Sequence, residues 1–131
     1  MKKFNCILLV DDDETCNFIT QKIITKLDIS SHTYSTKNGR EAMSFIEASS
    51  ETVPVCPDLI LLDLNMPVMD GIEFLEEFYA NKKIKHADDI NIYVLSSSDN
   101  IKDMEKVMKY KVKGYITKPM TADKLINIAS C

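Results

Sequence analysis

The chain has 131 residues, 45% of them hydrophobic and 27% charged, which suits one compact soluble domain with its own core. A net charge of −4 with no Lys/Arg tract argues against a basic face for nucleic acid. No apolar segment is long enough to cross a membrane, and the run Cys6 to Val10 after Met1-Lys2-Lys3 is too short for a signal peptide, so a cytoplasmic protein is expected. Phe4 to Val10 (FNCILLV) reads as a strand that ends in Asp11-Asp12-Asp13-Glu14. Thr15 to Leu27 reads as a helix, with Cys16, Ile19, Ile23 and Leu27 recurring on one face. Ser30 to Thr36 is polar and β-prone, which predicts a short edge strand. Asn38-Gly39 opens a second helix with Ala42, Phe45 and Ile46 inward, and Ser49 to Cys56 reads as a loop.

Leu59 to Leu62 is a short apolar run flanked by prolines, the signature of a fully buried strand, and it stops at Asp63. Asp70 is placed to cap a third helix whose apolar face is Phe74, Leu75, Phe78 and Tyr79. Asn81 to Asp89 is a charged connection. Ile90 to Leu95 is a fourth strand followed by Ser96-Ser97-Ser98, and Ser98 or Asp99 caps a fourth helix with Ile101, Met104, Val107 and Met108 inward. Gly114 to Thr117 is a fifth strand ending in Lys118-Pro119, and Thr121 caps a last helix with Leu125 and Ile128 inward. Strand and helix thus alternate five times, which implies a doubly wound parallel α/β sheet with five helices on its two faces. No linker or repeat interrupts the pattern, so residues 1–131 are expected to form a single domain with no output domain. Cys6, Cys16, Cys56 and Cys131 form no CxxC pair. Reduced thiols are expected, with Cys6 and Cys16 buried. His32 and His86 are read as surface residues, not metal ligands.

A carboxylate at the end of a buried strand is costly unless it has a partner or a task. In parallel sheets ligands sit beyond the carboxyl ends of the strands. Those ends carry Asp11 and Asp12, Asp63, Ser96 and Lys118. Each is ordinary alone: an acidic triplet is usually a solvated helix start, Ser96–Ser98 a cap, Lys118-Pro119 a turn. Together they form a chemical set. Three close carboxylates repel one another unless a cation is present, and oxygen-only ligands favour Mg²⁺ over zinc. An Asp carboxylate can act as nucleophile toward a phosphoryl group, and the Ser96 hydroxyl and Lys118 ammonium can then hold the new charge.

On four stretches the chain resembles the receiver domain of two-component response regulators. They are ILLVDDDE at Ile7–Glu14, LILLDLNMPVMDG at Leu59–Gly71, VLSSS at Val94–Ser98 and GYITKP at Gly114–Pro119. The resemblance implies a flavodoxin-like sheet of strand order 2-1-3-4-5, an order that the hydrophobic pattern does not supply. It implies that Asp63 is the phosphoacceptor. Asp12 binds Mg²⁺ directly, Asp11 mostly through water, and Asn65 through its backbone carbonyl. Ser96 moves onto the phosphate, Tyr115 is the aromatic switch, Lys118 binds the phosphate and Pro119 is a cis-proline. The implied donor is a sensor histidine kinase or histidine phosphotransfer protein. The implied output is an unidentified downstream protein.

In the family the phosphotransfer partner docks near the first helix, which nominates Asn17, Phe18 and Gln21 as exposed contacts. The fourth helix, fifth strand and fifth helix form the usual output face. Here that face carries Lys102, Lys106, Lys109, Lys111 and Lys113, a run that taken alone reads as a solvated helix face. Two rival readings remain from the sequence. A degenerate receiver would bind proteins without phosphate, yet all five core residues are kept. A haloacid-dehalogenase-type phosphatase needs a second Asp two residues after the nucleophile, where this chain has Asn65.

Overall fold

The structure is a computed structural model that describes residues 2–49, 57–66, 68–81, 84, 87–97 and 101–130. The strands are β1 (Phe4–Val10), β2 (Ser30–Thr36), β3 (Leu59–Asp63), β4 (Asn91–Ser96) and β5 (Gly114–Thr117). The helices are α1 (Glu14–Leu27), α2 (Gly39–Ser49), α3 (Gly71–Ala80), α4 (Ile101–Val107) and α5 (Ala122–Ala129), with a 3₁₀ turn at Ala87–Asp89. All strand pairs are parallel, in the order β2-β1-β3-β4-β5. This is the flavodoxin-like order expected from the resemblance.

Burial separates the central strands from the edge. Every residue of β3 is buried, as is β1 from Cys6 onward, because both lie between neighbours and under helices. β2, polar throughout, takes an edge. Successive side chains alternate between two cores. Leu8, Val10, Ile60, Leu62, Ile92 and Val94 share one core with Ala42, Met43 and Ile46 of α2, Phe74, Leu75 and Phe78 of α3, and Val107 of α4. Ile7, Leu9, Leu59, Leu61 and Leu95 share the other with Ile24 of α1 and Leu125 and Ile128 of α5.

Caps set the helix starts. Asp70 and Glu73 form a reciprocal capping box at α3, and the Thr121 hydroxyl accepts from the Lys124 N–H at α5. The carboxylate of Asp13, part of the acidic run, accepts from Thr15 N–H (2.9 Å) and Cys16 N–H (3.2 Å) and so starts α1 at Glu14. These bonds hold its carboxyl below the ordinary value despite some desolvation.

Three expectations about helix faces are corrected. In α1 the inward residues are Asn17, Thr20 and Ile24, while Ile19 is 47% exposed and Cys16 is half-buried. The Asp13 cap and an inward hydrogen bond from the Asn17 side chain rotate the helix, so polar residues occupy positions where the apolar period placed Ile19. Asn17 is accordingly not an exposed contact; Phe18 is exposed and Gln21 half-buried. Met104 in α4 and Met108 just past it lie on the outside (36% and 53% exposed), and among the described side chains of α4 Val107 enters the core; the Ile101 side chain lies outside the description. The helix ends at Val107, and Tyr110 then packs toward α3, its ring stacked on Tyr79 with centroids 6.0 Å apart. The proposed α4 cap at Ser98 or Asp99, and also Cys56, His86 and Cys131, lie outside the described residues.

Candidate functional site

The site grows from four adjacent strand ends. β1 delivers Asp11 and Asp12, β3 delivers Asp63, β4 delivers Ser96, and the turn after β5 delivers Lys118. Register keeps these ends level: Val10 pairs with Leu62, Asp63 with Leu95, and Ser96 with Thr117. Carboxylate oxygens of Asp11, Asp12 and Asp63 all lie within 4.8 Å of one another. Asp11 and Asp63 are buried, Asp12 is exposed, and Ser96 is fully buried. The Lys118 ammonium sits 2.8 Å from Asp11 Oδ2 and 3.5 Å from Asp63 Oδ1. The sequence-nominated residues Asp11, Asp12, Asp63, Ser96 and Lys118 therefore meet at one sheet edge.

The electrostatics follow from this crowding. Burial, and next the charge of Asp11, push the Asp63 carboxyl up to about 6 from its ordinary 3.8, even though Lys118 opposes the shift. Burial alone would lower Lys118, but its hydrogen bond to Asp11 and the charges of Asp63 and Asp11 hold it above the ordinary value. Three carboxylates against one ammonium leave an oxygen-rich, under-neutralised pocket. Hard oxygen donors of this kind suit a divalent cation such as Mg²⁺, and the residues present fit one.

Backbone contacts fix the carboxylates. Asp11 Oδ1 accepts from Asp13 N–H (2.9 Å), and the Asn17 side-chain amide donates to the Asp11 carbonyl (2.9 Å). The backbone N–H of Asn65 reaches Asp63 Oδ1 at 3.4 Å. The loop after Asp63 is tied to the neighbouring strand and closed on itself: Leu64 N–H donates to the Leu95 carbonyl of β4 and Gly71 N–H to the Leu64 carbonyl. Glycine is required there, since a Cβ at 71 would lie 2.7 Å from the Asp63 carbonyl oxygen and 2.9 Å from Leu64 Cα. The same loop holds Val68 at φ 69°, exposed and left-handed.

On the opposite side, Lys118 N–H donates to the Ser96 carbonyl (2.8 Å), tying β4 to the lysine turn. The Lys118–Pro119 peptide is cis, as the resemblance implied. Lys124 of α5 folds back and donates from Nζ to the carbonyls of Thr117 (2.6 Å) and Pro119 (2.8 Å), clamping the turn that presents Lys118. No sequence signal pointed to Lys124, because its partners are main-chain carbonyls. Tyr115 stands beside Val94 on β5, half-buried against the core that includes α4, and Asn65 is exposed at the mouth of the pocket. Lys102, Lys106, Lys109, Lys111 and Lys113 are all exposed.

Comparison with known proteins agrees with this fold. The family model described as response regulator receiver domain matches residues 7–130. Response regulator Rcp1 of Synechocystis sp. is 34% identical over 113 residues, covering 86% of this chain and 75% of that protein. The crystal structure of its Mn²⁺-bound form aligns over 95% of this chain and 88% of that one, with 32% identity and a TM-score of 0.71. Chemotaxis protein CheY of Halobacterium salinarum is 30% identical over 126 residues, 95% of this chain and 92% of that protein. A two-component response regulator from Cytophaga hutchinsonii matches with a TM-score of 0.87 and 28% identity, over 98% of this chain and 96% of that one. Other relatives are longer, and the chain spans 47%, 20% and 50% of three of them. Among the described residues no helix is long and apolar enough to cross a membrane.

Proposed function

The chain belongs to the response regulator receiver domain family, and from that footing we propose that Asp63 is its phosphoacceptor in a two-component phosphorelay. The observation that carries the assignment is the meeting of a buried carboxylate with Asp11, Asp12 and Lys118 at one strand edge. In this reading an Asp63 oxygen attacks the phosphorus of a phosphohistidine on a sensor histidine kinase or phosphotransfer protein. The P–N bond breaks, its electron pair stays on the imidazole nitrogen, which takes up a proton, and Asp63 becomes an acyl phosphate. Asp12, Asp63, the Asn65 carbonyl and, through water, Asp11 would hold Mg²⁺, which supplies charge neutralisation for the phosphoryl oxygens. Lys118 exchanges Asp11 for a phosphoryl oxygen, and the Ser96 hydroxyl donates to another. Because Ser96 and Tyr115 lie on paired strands, movement of Ser96 vacates space into which the Tyr115 ring turns. That turn shifts the population of the α4–β5–α5 face read by a cytoplasmic partner protein.

Receiver domains are signalling modules, and the only chemistry proposed for this one is its own phosphorylation and slow dephosphorylation. Asn65 has no proton to shuttle, which argues against a turnover phosphatase. Retention of the acidic pair, Ser96 and Lys118 argues against a receiver that works without phosphate. Incubation with acetyl phosphate and Mg²⁺ is expected to add the mass of one phosphoryl group. No gain, or a gain that persists in Asp63→Asn, refutes the assignment, and steady hydrolysis of p-nitrophenyl phosphate refutes its non-enzymatic part.

A further inference from the structure

β2 is an edge strand without the usual protections. Native edges are kept from pairing by shortness, by Lys or Pro, or by bulges. β2 runs for 7 residues, Ser-Ser-His-Thr-Tyr-Ser-Thr, with neither Pro, Lys, Arg, Asp nor Glu. Its register against β1 keeps one offset from Phe4↔Ser30 to Val10↔Thr36, broken only at Asn5, whose N–H turns with that of Cys6 to the Asp58 carboxylate. Beyond that break the Asp11 N–H donates to the Thr36 carbonyl (3.0 Å) and the Thr36 hydroxyl to the Leu9 carbonyl (3.3 Å). In an evenly spaced parallel ladder this turns the main chain of His32, Tyr34 and Thr36 toward β1, and that of Thr33 and Ser35 outward.

The geometry points to this edge as a self-association surface, pairing β2 antiparallel with β2 of a second copy about Thr33. The strand is self-complementary in that register. His32 lies opposite Tyr34 of the other copy. Thr33 meets Thr33 and Ser31 meets Ser35, and these pairs exchange both main-chain hydrogen bonds. Aromatic and Thr–Thr pairs are favourable cross-strand neighbours. His32 and Tyr34 already form a ring pair within one strand (centroids 6.4 Å), and Tyr34 rests on Phe45 (5.1 Å), so the dimer extends an existing row.

Charge selects a second copy over an unrelated strand. The acidic flank is Asp28, two residues before β2, and the basic flank is Lys37, one residue after it. Each now bridges only at the surface, Asp28 to Lys3 and Lys37 to Glu14. Antiparallel pairing of two copies brings Asp28 beside Lys37 at both ends, whereas a partner of uniform charge is matched at one end alone. β2 is two strand spacings, about 10 Å, from β3, so the pairing leaves Asp63 open.

The test uses the full, unphosphorylated chain, so its failure leaves the Asp63 assignment untouched. Sedimentation equilibrium from micromolar to millimolar protein is expected to show a monomer–dimer equilibrium. Amide exchange of Thr33 and Ser35 should slow as concentration rises, and that of His32 and Tyr34 should not. Thr33→Lys sets two like charges face to face and is expected to weaken dimerisation about five-fold, while Thr33→Val preserves it. Lys37→Glu, which faces Asp28 with a like charge, is expected to weaken it about three-fold. Unchanged circular dichroism confirms that the variants fold. A chain that stays monomeric at millimolar concentration overturns the proposal. So does a dimer indifferent to both charge changes, or protection that falls elsewhere than Thr33 and Ser35.

Discussion

Replacing Asp63 by Asn should stabilise the metal-free protein at neutral pH while abolishing its phosphorylation. The Asp63 carboxyl titrates near 6 in the folded chain against an ordinary 3.8, chiefly because it is buried beside Asp11. Between those values the folded state holds a proton that the unfolded chain has released. The sign follows from linkage: this group's contribution is complete below about pH 3.8 and is lost as pH rises through about 6. The shift corresponds to about 3 kcal/mol between the two limits, of which about 1.4 kcal/mol is lost between pH 5 and pH 7.5. Asn keeps the shape, carries no charge, and leaves Lys118 its 2.8 Å partner Asp11. Urea unfolding in EDTA at the two pH values measures the effect. The advantage of Asp63→Asn should be larger at pH 7.5 than at pH 5 by roughly 1 kcal/mol or more. Millimolar Mg²⁺ should restore the wild type at pH 7.5 and do less for the variant, because ligand binding to the native state adds stability by mass action. A wild-type-to-variant difference that is the same at both pH values refutes the reasoning.

Two further expectations concern the loop that carries Asp63. Gly71→Ala drives a Cβ into the Asp63 carbonyl and Leu64 Cα, main-chain atoms that cannot step aside, so a loss of about 1–3 kcal/mol is expected, with slower phosphorylation by acetyl phosphate; an unchanged urea midpoint contradicts it. Val68→Asn should stabilise by about 1 kcal/mol, because a β-branched residue is strained at φ 69° and Asn tolerates that region. Val68 is 79% exposed and gives up little packing. A thermal midpoint raised by about 3 °C is the expected reading, and an unchanged or lowered one counts against strain at this position.

The amino-acid sequence by itself determined the alternation of strands and helices, because the buried runs Cys6–Val10 and Leu59–Leu62 and the capping residues Asp70 and Thr121 are local signals. It also exposed the site residues, since charged and hydroxyl groups at the ends of apolar strands stand out against their surroundings. Strand order came from family resemblance, because a parallel strand's pattern records how deeply it is buried and not which strand lies beside it. Only the tertiary structure decided the rest. Apolar spacing placed Ile19 inward in α1, but a cap and one amide-to-carbonyl bond rotate Asn17 there to hold Asp11. Met104 and Met108 lie outward, while α4 ends at Val107 and Tyr110 stacks on Tyr79 beyond it. Lys124 became a clamp on the Lys118 turn through main-chain acceptors that no side-chain pattern encodes. The raised Asp63 carboxyl is likewise a property of assembly. Asp11, Asp63 and Lys118 are remote in the chain, and folding alone brings them close enough for burial and charge to act on one another.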